Sequence, residues 1–170
     1  MHPGTDNNSQ FAVDGVETGN QHAGGYPFPL DAVVLAGTHQ NIKRLITGRN
    51  KAFLEVGGEV LVRRVVKALL EAGTIDQIFV VGPADELLET FAGFPNRVHI
   101  IAQRGKMLTN AWAGIEAAED FRRNDTDIPV RDRPLLAISC DLPLATGRSI
   151  DDFVARCAKE DFAADTPYAM

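Results

Sequence analysis

At 170 residues and 45% hydrophobic, the chain is long enough to bury the core of one domain. Its 23 acidic against 17 basic residues, net charge of −6 and pI near 5.2 argue against a general nucleic-acid or membrane-surface binder. No apolar run approaches the ~18 residues that a membrane-spanning helix needs, no signal-peptide pattern opens the chain, and Cys140 and Cys157 make no disulfide framework. A cytoplasmic protein with no nucleic-acid or membrane partner is expected.

In chain order, residues 1–29 are rich in Gly, Asn and Pro and poor in aliphatics, the composition of a flexible N-terminal extension. Ala32, Val33, Val34, Leu35 and Ala36 then form an apolar run that reads as a buried strand. It breaks at Gly37 into a loop that carries Lys43, Arg44, Arg49 and Lys51 and no acidic residue. No Lys or Arg occurs before Lys43, so this basic cluster stands out in an acidic chain.

Phe53 to Val56 reads as a short extended piece, and Gly57-Gly58 as a turn. From Glu59 to Ala72 the pairs Leu61/Val62, Val65/Val66 and Leu69/Leu70 recur at the 3.6-residue period of a helix, with Gly73 as its stop. Ile75–Val81 reads as a second strand, 84–91 as a short helix, and Arg97–Ala102 as a third strand. A helix is expected from Lys106 to Phe121 with Leu108, Ala111, Trp112 and Ile115 inward. Pro134–Ser139 is the fourth strand, ending beside Cys140, a small core hydrophobe. Ser149 is expected to cap a last helix running to Ala158.

Strands alternating with helices imply an α/β fold around a mostly parallel sheet. With the common strand order 3-2-1-4, the switch point lies between the first and fourth strands. The basic loop and Cys140–Pro143 then face each other across one crevice.

Three clusters carry chemistry. Backbone amides after Gly37, with Arg44 and Lys51 converging, suit a triphosphate; a solvated surface loop is the plain alternative. No Gly-Lys-Ser/Thr and no G-x-G-x-x-G occurs, so this is neither a P-loop nor a dinucleotide fingerprint. Asp141, directly after a buried strand, offers the single carboxylate that Mg²⁺ accepts alongside phosphates and water, although an aspartate capping a turn is common. Gln103, Arg104 and Gly105, followed by Lys106 and Asn110, can present an amide and a close backbone to a base edge; a turn and helix start explain them equally well. His39 is expected to be a bystander, and His99 to be packed in its strand.

Taken together, Leu35-Ala36-Gly37, Arg44, Lys51-Ala52-Phe53-Leu54, Gly57-Gly58 and Asp141-Leu142-Pro143 resemble the MobA-like nucleotidyltransferases. The superfamily includes molybdenum-cofactor guanylyltransferases and sugar-1-phosphate nucleotidyltransferases. The resemblance implies a Rossmann-like three-layer sandwich of the glycosyltransferase-A-like type, with 30–170 as its nucleotide-binding part, incomplete at the C-terminus. It implies a Mg²⁺-dependent enzyme that moves an NMP group from an NTP to a phosphorylated small-molecule acceptor, releasing pyrophosphate. By the same resemblance, Leu35, Ala36, Gly37 and Thr38 line the nucleotide. Lys43, Arg44 and Lys51 meet its phosphates, Gln103 and Gly105 lie near its base, and Asp141 holds the metal. Thr38 departs from the family's second glycine, and the spacing from Gly37 to Arg44 is longer than in the guanylyltransferases. A non-catalytic nucleotide or sugar-nucleotide binding module is the alternative reading.

Overall fold

The computed structural model describes residues 26–37, 50–123 and 133–159. A four-stranded parallel sheet forms the centre: β1 (Leu30–Leu35), β4 (Ile75–Gly82), β5 (Val98–Ala102) and β6 (Leu135–Ser139), in the order β5-β4-β1-β6. This is the expected 3-2-1-4 order. β1 lies between two parallel neighbours, in register Val34 with Val80 on one side and Ile138 on the other.

Alternation along β1 sorts its side chains between two cores. Ala32 and Val34 pack with α1 (Leu61–Glu71), α2 (Ala84–Thr90) and α4 (Gly147–Lys159) through Val62, Val65, Leu69, Leu87 and Ile150. Val33 packs on the opposite face with Phe79, Val81, Ala113 and Ala118, beneath α3 (Met107–Arg122). The result is the expected three-layer sandwich. Among the described residues no helix is long and apolar enough to cross a membrane.

Four local expectations are corrected. Gly57 (φ 59°) and Gly58 (φ 78°) make the two-residue turn of a hairpin whose strands are β2 (Glu55–Val56) and β3 (Glu59–Val60). Positive φ at both turn positions matches the twist of paired strands, so the helix begins at Leu61 and not at Glu59. Helix α1 ends as Ala72 turns extended, before Gly73. Gly73 N and Thr74 N donate to the Asp151 carboxylate, at 3.2 and 2.9 Å.

The inner face of α3 is also different from that expected. Leu108 and Trp112 are 63% and 59% exposed, and the buried positions are Asn110, Ala113, Gly114 and Ala118. A Cβ at Gly114 would stand 3.0 Å from Val33 Cγ2 and from Val81 Cγ2. The helix lies so close to the sheet that only small residues fit beneath it, and the large ones are displaced outward. Finally, Thr146 caps α4, not Ser149. Thr146 Oγ1 accepts from Ser149 N at 3.1 Å, and Ser149 Oγ returns the favour to Thr146 N at 2.9 Å.

Asp31 is the one charged residue buried in β1, and Arg122 at the end of α3 satisfies it in fork fashion. Nε meets Oδ2 at 3.0 Å and Nη2 meets Oδ1 at 2.7 Å, while Gln77 N also donates to Oδ1 and Arg122 reaches on to Asp76. His99 stacks on Phe79 at 4.8 Å within its strand, as expected, and burial lowers its pKa. Arg122→Leu leaves the Asp31 carboxylate buried without its fork. It should cost roughly 3–5 kcal/mol in urea unfolding, and a loss below about 1 kcal/mol would show that the ion pair does not hold α3 to β1.

Candidate functional site

The site is built at the C-terminal ends of the parallel strands, where the chain leaves the sheet. β1 runs out through Ala36, fully buried, whose N donates to Val81 O at 2.9 Å. On the neighbouring strand a Cβ at Gly82 would approach Ala36 O to 3.0 Å and Leu87 Cδ1 to 2.9 Å, so a side chain there would be crowded. Gln103 N donates to Gly82 O and Cys140 N to Leu35 O, so the strand ends are tied to each other beyond the ladder.

Asn50 returns the loop after β1 to the sheet. Its Nδ2 donates to Ala36 O at 2.9 Å, and its Oδ1 accepts from Ala52 N at 3.1 Å, capping the short 3-10 turn Lys51–Phe53. That cap sets the exit direction of Lys51. Its ammonium pairs with the Asp141 carboxylate, which follows β6, and Ser139 Oγ donates to the same carboxylate. The strand order therefore brings together the two loops that flank the switch point, as expected.

Lys51 and Asp141 remain 47% and 38% exposed. The Lys51 hydrogen bond, then that of Ser139, holds the Asp141 carboxyl below its ordinary 3.8. An ion pair this open to water is worth little, about 0–1 kcal/mol, so both charges are free to exchange partners. Cys140 beside it is 2% exposed, and burial pushes its thiol up to about 11. It is a neutral core residue and not a nucleophile.

On the other side of Gly37 stands the turn after β5. A Cβ at Gly37 would collide with Asn110 Nδ2 and crowd Gln103 Oε1 at 3.3 Å, so the absence of a side chain is what lets the two loops touch. Asn110 Oδ1 accepts from Arg104 N at 2.7 Å and from Gly105 N at 3.1 Å. Gly105 has φ 134°, a conformation that L side chains rarely adopt.

Of the expected site residues, the structure gathers Gly37, Lys51, Gln103, Gly105 and Asp141 at one end of the sheet. Leu35 and Ala36 belong there through their backbones, since Leu35 packs under α3 and the Ala36 side chain is buried. Thr38, Lys43 and Arg44, with His39 and Arg49, lie outside the described residues. Asn50 and the clamping role of Asn110 were not foreseen; both are asparagines that satisfy backbone groups, and only their place next to Gly37 and Gly105 hints at it.

Among the described residues no three His, Cys, Asp or Glu side chains are grouped to hold a metal. Asp141 alone is a hard oxygen donor that fits a Mg²⁺ whose other ligands are phosphate and water. An apolar groove of about 290 Å³ runs beside β6, lined by Leu136, Ile138, Leu142, Ile150 and Phe153 among others. Among the described residues no charged side chain lines it, so it offers nothing to pair with a polyanion.

Comparison with known proteins places the chain in a family and agrees with the fold. The family described as the MobA-like NTP transferase domain matches residues 32–168. A 2-C-methyl-D-erythritol 4-phosphate cytidylyltransferase of Rhodococcus jostii is 31% identical over 77 residues, which is 45% of this chain and 34% of that protein. The chain thus spans about a third of the length of that relative. Two solved structures share the fold. One is a nucleotidyl transferase from Methanothermobacter thermautotroptrophicus, with TM-score 0.56 and 22% identity over 75% of this chain and 57% of that one. The other is the 4-diphosphocytidyl-2C-methyl-D-erythritol synthase of Anaerococcus prevotii, with TM-score 0.56 and 13% identity over 78% and 52%.

A carboxyl whose folded pKa lies below its unfolded value adds stability above pH 3.8 that is lost as pH falls through the lowered value. Because Asp141 is more than a third exposed, solvent screening keeps that contribution small. Asp141→Asn should unfold within about 1 kcal/mol of wild type at pH 7, and the difference should disappear on acidification below pH 3.8. A larger cost at pH 7 would mean that the pair is a structural bond and not an exchangeable one.

Proposed function

The chain belongs to the MobA-like NTP transferase domain family, and from that membership we propose that it is the nucleotide-binding part of a Mg²⁺-dependent nucleotidyltransferase. The reaction moves an NMP group from an NTP to a phosphorylated small-molecule acceptor. The observation that carries this reading is the Lys51–Asp141 pair, which joins the loops after β1 and β6 across the switch point of the sheet.

An acceptor phosphate oxygen attacks the α-phosphorus, a P–O bond to the β-phosphate breaks, and pyrophosphate leaves with the negative charge. Such a transfer needs alignment and charge neutralisation more than a protein nucleophile. The neutral Cys140 thiol is in keeping with that. Lys51 gives up its carboxylate partner and turns to the NTP phosphates, a charge-assisted contact of the kind that fixes anions in place. The freed Asp141 carboxylate would hold Mg²⁺, with Ser139 orienting it. When bound, that ion would neutralise phosphate charge as the pyrophosphate departs. Gln103 and the glycine-bearing turn at Gly105 face the base. The Rhodococcus relative's own name pairs cytidylyl transfer with a phosphorylated acceptor, and that supports the same class of acceptor here.

Thermal unfolding with each NTP, with and without Mg²⁺, tests the site. Ligand at 100-fold over its Kd should stabilise by about 2.7 kcal/mol, with the Mg²⁺-dependent part lost in Asp141→Ala. Lys51→Ala should remove about 1.5–3 kcal/mol of phosphate binding, a weakening of roughly 10- to 150-fold. Pyrophosphate release should accompany acceptor addition in wild type and be absent in Asp141→Ala. Binding without any release would reduce the protein to a nucleotide-binding module.

A further inference from the structure

Asn110 and Asp31 are the two polar or charged side chains buried among the described residues. Asp31 is accounted for by its fork with Arg122. Asn110, 3% exposed in the first turn of α3, has no charged partner among the described residues and bonds to the turn before its helix. Its Oδ1 takes both Arg104 N and Gly105 N, which fills the two acceptor positions of an amide oxygen. Its Nδ2 donates back to Gly105 O at 3.3 Å. One side chain therefore fixes the turn through donors and an acceptor at once. The same Nδ2 lies against Gly37, so the turn after β5 and the exit of β1 are in close contact there.

We propose that Asn110 is a positioning residue that sets the base selectivity of the nucleotide site. The proposal rests on the nucleotidyltransferase reading above. With its oxygen filled by backbone amides, Asn110 acts on the base through the turn it holds. Gln103 and the backbone at Gly105 provide the polar edge that a base meets, and selectivity depends on that edge being held still. Burial excludes water from competing for the clamp, so its hydrogen bonds are made without interruption. Freed of the clamp, the turn would adapt to any base and discriminate among none.

Equilibrium binding of ATP, GTP, CTP and UTP to the full chain tests this in wild type, Asn110→Ala and Asn110→Asp. Aspartate keeps an oxygen for the Arg104 and Gly105 amides and loses Nδ2. The expected result is that Asn110→Ala weakens the preferred NTP about tenfold and flattens the preference among the four. Asn110→Asp keeps the two amide contacts and loses the weaker Nδ2–Gly105 O bond, so it should bind more weakly than wild type but keep most of the preference. Amide exchange in the unliganded protein should show Arg104 and Gly105 losing protection in the alanine variant and keeping it in the aspartate one. An alanine variant with wild-type preference would overturn the proposal. So would a folded Asn110→Asp that keeps Arg104 and Gly105 protected yet loses the preference, since a held turn would then not be what selects the base; this arm stands even if the alanine variant fails to fold. Wild type that binds none of the four overturns the nucleotidyltransferase reading itself, and the proposal with it.

Discussion

The structure depends on the position of β1 between two parallel neighbours. A strand hydrogen-bonded along both edges and covered on both faces has nowhere to expose a side chain, and five of its six residues are buried. Its apolar content follows from that, and so does the treatment of its one charge: Asp31 is tolerated because Arg122 and the Gln77 amide meet its oxygens. The same confinement fixes where β1 must end. Once past Ala36 the backbone is pressed between Gly82 and the Asn50 side chain, and Gly37 is the first residue free to open a loop.

The chain crosses from one side of β1 to the other after β5, and this crossing creates the crevice. The loop after β1 and the loop after β6 can meet only there, and Lys51 and Asp141 do meet. Their pairing is weak because water reaches both. For the nucleotide site proposed above that is an advantage, since a strong buried pair would have to be broken before phosphate or cation could enter.

Most of the fold was legible in the sequence. Largely apolar runs marked four strands within one or two residues of their observed ends, and the common order 3-2-1-4 proved to be the right one. The failures share a cause: rules that place large apolar residues inside describe area, whereas close packing is decided by shape. Trp112 and Leu108 are outside because Gly114 and Ala113 are what the sheet can accept. Thr146 was missed because a capping box of threonine with serine lacks the usual acidic partner. In the site, Lys51, Asp141, Gln103 and Gly105 were legible from their positions after strands. Asn50 and Asn110 were not, since a polar residue that serves the backbone leaves no period behind it.

Those two asparagines divide the labour of the site from its charged residues on physical grounds. A carboxylate or ammonium buried to hold a loop would carry a desolvation cost that only another charge could offset. A carboxamide has both a donor and an acceptor, is uncharged, and can be satisfied by backbone alone. Asn50, half-buried, and Asn110, buried, therefore do the fixing, one on each side of Gly37. Lys51 and Asp141 are left in water, where their charges can leave one another for a ligand. The fixed frame and the exchangeable charges are separate residues, and Asn50 joins them directly: the amide that anchors the loop to Ala36 also caps the turn from which Lys51 projects.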